Sequence, residues 1–189
     1  MTESLNTSAR TRQPRSVRED DILSAAYVVF SEKGYANAAV SEIAKRAGIA
    51  EGTVFKYFSN KQTLLARVIG EFYKKLIETT ESSLVGITGI ENQLRVLISG
   101  HIHTFFDDMG LCRLLLQEVR PLDNYPYSEI HTLTRRYSEI LLGVLNQGIK
   151  NGELSDGVSP RTIQNMIFGC LEHTGWNVLA NPKIKLDRE

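Results

Sequence analysis

Apolar residues along most of this chain recur at intervals of three and four, the period of helices with one buried face. The first such face is Ile22, Leu23, Ala26, Val29 and Phe30. Ser16, with Glu19 three residues on, predicts its start through a capping box, and Gly34 predicts its end. Two short helical segments follow, 40–47 and 51–57, joined through Gly48. Ser59, with Gln62 completing a second box, predicts the cap of a long helix. Along that helix the doublets Leu64-Leu65, Val68-Ile69, Phe72-Tyr73 and Leu76-Ile77 repeat every fourth residue.

Beyond the Gly86 to Gly89 break, a helix over about 90–109 turns Leu94, Leu97, Ile98, Ile102, Phe105 and Phe106 inward. Gly110 interrupts the pattern before a shorter piece, 111–119, and Pro121 and Pro126 bracket a loop. A helix over about 127–150 buries Ile130, Leu133, Tyr137, Ile140, Leu141, Val144, Leu145 and Ile149. Ser159-Pro160 opens the last helix, serine as cap and proline where a missing N–H costs nothing. That helix carries Ile163, Met166, Ile167, Cys170, Leu171 and Leu179, and Pro182 limits it. Strand signals are nearly absent, so the fold class is all-α.

The 189 residues carry 22 basic and 22 acidic side chains, and the zero balance hides an asymmetry. Residues 1–18 hold Arg10, Arg12, Arg15 and Arg18 against Glu3 alone. Such a run is either a solvated tail or an arm that contacts nucleic acid. No apolar run reaches the roughly 18 residues of a membrane span, and the N-terminus lacks the apolar centre of a secretory signal. Cys112 and Cys170 make no disulfide framework, which predicts a reducing, cytoplasmic setting.

Residues 40–57, VSEIAKRAGIAEGTVFKY, carry the clearest chemistry. Small Ala44 admits a crossing helix, Gly48 makes the turn, and Ile49 and Val54 plug the angle between helices. That is the spacing of a helix-turn-helix, whose second helix lies in the major groove with its N-terminal residues at base edges. A plain helical hairpin is the alternative reading of the same spacing.

Residues 17–65 resemble the N-terminal domain of the TetR family of bacterial regulators. The likeness rests on Ala25-Ala26, Phe30, Gly34-Tyr35, Ile43-Ala44, Ala47-Gly48-Ile49, Gly52-Thr53-Val54-Phe55, Tyr57-Phe58, Ser59-Asn60-Lys61 and Leu64-Leu65. It implies a three-helix DNA-binding domain followed by a variable helical domain for ligand binding and dimerisation. By that resemblance Thr53, Tyr57 and Lys61 contact phosphates, with Lys56 on the same surface, while Ser41, Glu51, Gly52 and Phe55 face bases. Ala38 and Ala39 stand where the family commonly has threonines, and Phe55 where it has tyrosine. Phe55 then offers an apolar contact such as a thymine methyl. Phe58 is assigned to the core.

Catalytic signatures are missing: no nucleophile elbow, no P-loop, no dinucleotide glycines. The adjacent carboxylates Asp107-Asp108 diverge on a helix and read as a solvated helix end. No His or Cys spacing suits a metal, and no metal or cofactor is expected. Phe72, Tyr73, Leu76, His101, Phe105, Phe106, Met109, Arg113, Tyr137 and Trp176 are the candidate ligand-binding residues, His101, Arg113 and Tyr137 as polar anchors; Leu115 too is a candidate for the lining. Segments 114–120 and 167–174 resemble regulators of fatty-acid and acyl-CoA metabolism, which implies an acyl-type effector. Gly143, Gly148, Gly169 and Gly175 permit close helix approach, so the last two long helices are expected to pair in a homodimer.

The reading is therefore a basic arm (1–16), a helix-turn-helix DNA-binding domain (17–61) and a ligand-binding and dimerisation domain (62–189). The expected partners are double-stranded DNA with a palindromic operator, a small-molecule effector and a second copy of the chain, and no membrane. The expected function is ligand-controlled transcription, most simply repression. The rival from another class is a small helical enzyme or a carrier of apolar molecules.

Overall fold

The computed structural model describes residues 15–119 and 128–181. The order is α1 (Arg15–Asn37), α2 (Val40–Arg46), α3 (Glu51–Tyr57), α4 (Lys61–Ser83), α5 (Ile90–Phe106), α6 (Met109–Arg113), a π-helical segment (Leu114–Val119), α7 (Glu129–Lys150) and α8 (Pro160–Ala180). No strand occurs among the described residues. The two proline-bracketed stops at 121–126 and 182, and most of the basic arm, lie outside those residues.

The expected inner face of α1 is fully formed, with Ile22, Ala26, Val29 and Phe30 inaccessible to solvent. Its start differs from expectation. The helix is already running at Arg15, so Ser16 is not its cap, and Glu19 instead accepts a bond from Arg67 of α4 at 3.0 Å. Gly34 leaves helical geometry at φ 75°, a left-handed region open to glycine. Gly48, at φ 67°, ends α2 in a Schellman turn: Ile49 N–H donates to Ala44 at 3.0 Å and Gly48 N–H to Lys45 at 3.1 Å.

Asn60, not Ser59, caps α4, its side chain accepting from Thr63 N–H at 2.8 Å. Ser59 lies one residue too early and bonds the Thr63 hydroxyl instead. Similarly, α7 begins after Ser128, which accepts from His131 N–H at 3.1 Å. Ser159 caps α8 as expected, with Pro160 in the first turn.

A second correction concerns Asp107-Asp108 and Gly110. The break falls at the aspartates, and Asp108 caps α6 by accepting from Leu111 N–H at 2.8 Å. Its other oxygen accepts from the Tyr27 hydroxyl of α1. Gly110 sits inside α6, where it lets α6 lie against α1: a Cβ there would stand 2.6 Å from the Ser31 carbonyl oxygen.

One continuous core joins the first three helices to α4, α6, the π-helical segment and α7. A smaller cluster around Leu97, Leu141, Val144 and Leu145 fills the far end. On α8 the expected face is only partly buried. Leu171 is inside, whereas Cys170 is exposed and Met166 is 64% exposed. Gly148 and Gly175 receive side chains of this same chain, Ile90 and Leu116 respectively, while Gly143 and Gly169 face open space.

The α1–α6 contact generates the first prediction. Gly110→Ala adds a methyl against a backbone carbonyl that cannot swing aside, so it costs about 1–3 kcal/mol of stability in urea denaturation. An unchanged midpoint contradicts the close packing.

Candidate functional site: a DNA-reading surface and an aromatic cavity

The second helix of the helix-turn-helix presents a clear outer face. Val54 is buried at 1% exposure and Phe58 at 3%, which anchors α3 to the core. Ser41, Glu51, Gly52 and Lys56 are exposed, Thr53 and Tyr57 half-buried, and Phe55 is 47% exposed. The two phenylalanines three positions apart thus separate, Phe55 outward and Phe58 inward. A Cβ added at Gly52 meets nothing within 4 Å, so this face has room for an approaching partner.

Lys61, expected at a phosphate, already has partners within the chain. Its ammonium donates to the carbonyls of Tyr35 at 2.7 Å, Ala38 at 3.0 Å and Ala36 at 3.3 Å, and lies 4.5 Å from the centre of the Tyr35 ring. The helix break at Gly34 leaves those carbonyls without helical N–H partners, and a lysine has three donors to give them. Lys61 therefore ties the start of α4 to the end of α1.

Between α4, α5, α6, α7 and α8 lies a cavity of about 250 Å³. Of the expected residues, Tyr73, His101, Phe105, Phe106, Leu115 and Tyr137 line it. His101 stacks on Phe105 at 4.3 Å between ring centres, and its Nδ1 lies 3.1 Å from the Tyr137 hydroxyl. Burial, with Tyr73 adding to it, pushes the Tyr137 phenol well above its ordinary range, so Tyr137 is a neutral hydroxyl at any physiological pH.

Phe72 and Leu76 line a separate open groove between α1, α4 and α5 instead. Met109, Arg113 and Trp176 line neither space. Arg113 is exposed, because α6 is only one turn long and buries Leu111 and Cys112 on its other side. Trp176, 42% exposed, lies on the outer side of α8.

Sequence reasoning missed several lining groups. Thr134 and Ser138 of α7 and Gln164 and Asn165 of α8 bring hydroxyls and amides, and Phe168 and Leu116 bring apolar surface. Gln164 is buried and donates to the Ser138 carbonyl. A lone buried glutamine amid apolar helical positions was the available signal. Cys112 also faces the cavity, and burial pushes its thiol up to about 11, with the Asp108 charge adding to the shift. It is thus a protonated, unreactive thiol near neutral pH.

Comparison with known proteins places the chain in a family. Residues 22–68 match the description "Bacterial regulatory proteins, tetR family", and residues 88–176 match "Tetracyclin repressor-like, C-terminal domain". The fatty acid metabolism regulator protein of Bacillus subtilis is 33% identical over 153 residues, 81% of this chain and 79% of that protein. The crystal structure of the regulator FadR from Bacillus subtilis in complex with stearoyl-CoA superposes with a TM-score of 0.80 at 32% identity, covering 89% of this chain and 90% of that one. The fatty acid degradation regulator FadR from Bacillus halodurans gives 0.80 at 28% identity, covering 94% and 90%. The chain belongs to the tetR family of bacterial regulatory proteins and is a DNA-binding transcriptional regulator.

The Lys61 geometry separates two roles. Lys61→Ala leaves three carbonyls without a cation, which lowers stability by about 1–2 kcal/mol and weakens binding to every DNA sequence. Lys56→Ala, on the exposed face, weakens DNA binding and flattens its salt dependence with no change in melting temperature. A Lys61 variant of unchanged melting temperature contradicts the assignment.

Proposed function

We propose that this regulator is a dimeric repressor whose effector is a long apolar acyl thioester, and that it performs no catalysis. The cavity carries the effector half of this reading. Aromatic and apolar side chains line it together with hydroxyls, amides, the Cys112 thiol and one carboxylate, with no lysine or arginine in the described lining. Such a space suits a hydrocarbon chain ending in an uncharged carbonyl better than a free carboxylate. The likeness to a regulator crystallised with stearoyl-CoA supports the same class. Free fatty acids and hexadecanoyl-coenzyme A, titrated against the operator-bound protein, test it. The thioester is expected to release DNA at a concentration about tenfold or more below that of the matching free acid. Equal potency, or no release by either, contradicts the reading.

On the DNA side, Ser41, Glu51, Gly52 and Phe55 are assigned to bases and Thr53, Lys56 and Tyr57 to phosphates. Phosphate contacts fix register and base contacts set sequence preference. Lys61 acts behind this surface by holding α1 to α4. The regulator works in the bacterial cytoplasm, and among the described residues no helix is long and apolar enough to cross a membrane.

Dimerisation is assigned to the outer face of α8, with α7 beside it. Met166, Gly169, Cys170, His173 and Trp176 form an exposed stripe there, and open space at Gly169 allows a second helix to approach closely. Exposed large apolar groups in a stripe mark an association surface. A two-fold dimer places two recognition helices one turn of DNA apart, about 34–36 Å, and requires a palindromic operator. Met166→Asp puts an unpaired charge into that face, so light scattering is expected to show a monomer at micromolar concentration, with operator affinity falling about tenfold or more. A variant that remains fully dimeric contradicts the α8 assignment.

A further inference from the structure

Most of the polar side chains lining the cavity stand on α7 and α8, and their hydrogens are already in use. A hydroxyl has one proton to give. Thr134 donates its own to the Ile130 carbonyl at 2.9 Å, and Ser138 to the Arg135 carbonyl at 2.8 Å. Both residues line the cavity, so toward an occupant their hydroxyls only accept. Gln164, 6% exposed, donates through Nε2 to the Ser138 carbonyl at 2.5 Å. That carbonyl fixes which way the amide faces, because the reverse orientation sets two oxygens against each other. Among the described residues nothing donates to Gln164 Oε1. A buried acceptor without a donor is costly, and an occupant that supplies the donor removes the cost.

Thr134 and Ser138 are four positions apart and share a face of α7, and the Gln164 bond holds α8 to that face. The wall thus sets acceptors side by side, and an occupant that completes it must bring a donor. A hydrocarbon chain brings none, and an ionised carboxylate adds only further acceptors. A thioester of the coenzyme A kind differs: three bonds beyond its sulfur, the pantetheine arm carries an amide N–H. We infer that Gln164 is the residue by which the cavity reads its effector's polar end, Oε1 accepting that amide N–H. The inference rests on the acyl-thioester reading above. Of the described lining only Asn165 is exposed, one residue from Gln164, so the rest of the arm has a way to solvent there. The nucleotide of the coenzyme is then no part of what the cavity reads.

The test uses the full chain and three dodecanoyl thioesters. Their thiols are coenzyme A, N-acetylcysteamine, and 2-mercaptoethyl acetate, in which an oxygen replaces the amide N–H at nearly the same size. Binding is measured by calorimetry and release of operator DNA by fluorescence anisotropy. The first two are expected to bind and to release DNA, and the acetate to bind about tenfold or more weakly than the N-acetylcysteamine thioester. Gln164→Leu removes the acceptor at similar volume, and Gln164→Met serves if the leucine variant does not fold. In the folded variant the amide-to-ester ratio is expected to fall to about one, the outcome of a double-mutant cycle on a direct contact. A merely structural role for Gln164 weakens both ligands and leaves the ratio as it was. The assignment is wrong, and the acyl reading stands, if amide and ester bind alike in the unaltered protein, if the ratio survives in the folded variant, or if the coenzyme A thioester alone binds. If none of the three binds, the acyl reading itself fails, and the assignment with it.

Discussion

The structure depends on one helix belonging to two packing environments at once. In its first half, Leu64, Leu65, Val68 and Ile69 of α4 are buried in the core shared with α1, α2 and α3. In its second half, Tyr73, Leu76 and Ile77 are buried beside α5 and α7. No break in apolar surface separates the two, so neither half can shift without the other repacking. Lys61 fixes the N-terminal end of α4 to α1, and the Arg67–Glu19 pair at 3.0 Å fixes its second turn. That pair is partly exposed and contributes little stability. It is a second tie between α1 and α4 beside that of Lys61.

A second connection runs through α6. Tyr27 on α1 donates to Asp108, Gly110 lies against the Ser31 carbonyl, and Cys112, one turn on from Asp108, faces the aromatic cavity. The cavity wall and the DNA-binding helices therefore meet across a few residues. Burial and the Asp108 bond push the Tyr27 phenol far above its ordinary range, so Tyr27 stays a neutral hydroxyl donor across physiological pH. Together, α4 and α6 connect the cavity wall to the helix-turn-helix by two packed routes.

Much of this was legible in the sequence, and the misses share a cause. Helix existence, the inner faces of α1 and α4, the Gly48 turn and the burial of Phe58 all follow from local periodicity and glycine geometry. The cap at Ser59 went astray because Asn60 beside it qualifies equally, and Ser16 falls inside a helix already running at Arg15. Arg113 and Trp176 were expected in the cavity on chemical grounds, yet one-turn α6 and the outer stripe of α8 point them elsewhere. The Asp107-Asp108 break and the role of Gly110 depend on α1, some 80 residues away in sequence. Lys61 illustrates the same limit: a lysine at a helix start suits phosphate, and only the fold reveals three carbonyls already within its reach. Periodicity reports which face is buried. It does not report against what.

The proposed effector acts on the DNA surface through α4 and α6. Spin labels on Lys45→Cys in both protomers, an exposed α2 position outside the assigned DNA contacts, with Cys170→Ser and buried Cys112 left in place, give the distance between the two helix-turn-helix units directly by pulsed dipolar spectroscopy. On operator DNA the account predicts one narrow distribution consistent with helices about 34–36 Å apart. Added hexadecanoyl-coenzyme A is predicted to shift that distribution by several ångströms in the same concentration range that frees the DNA. Release of DNA with an unmoved distribution contradicts the account.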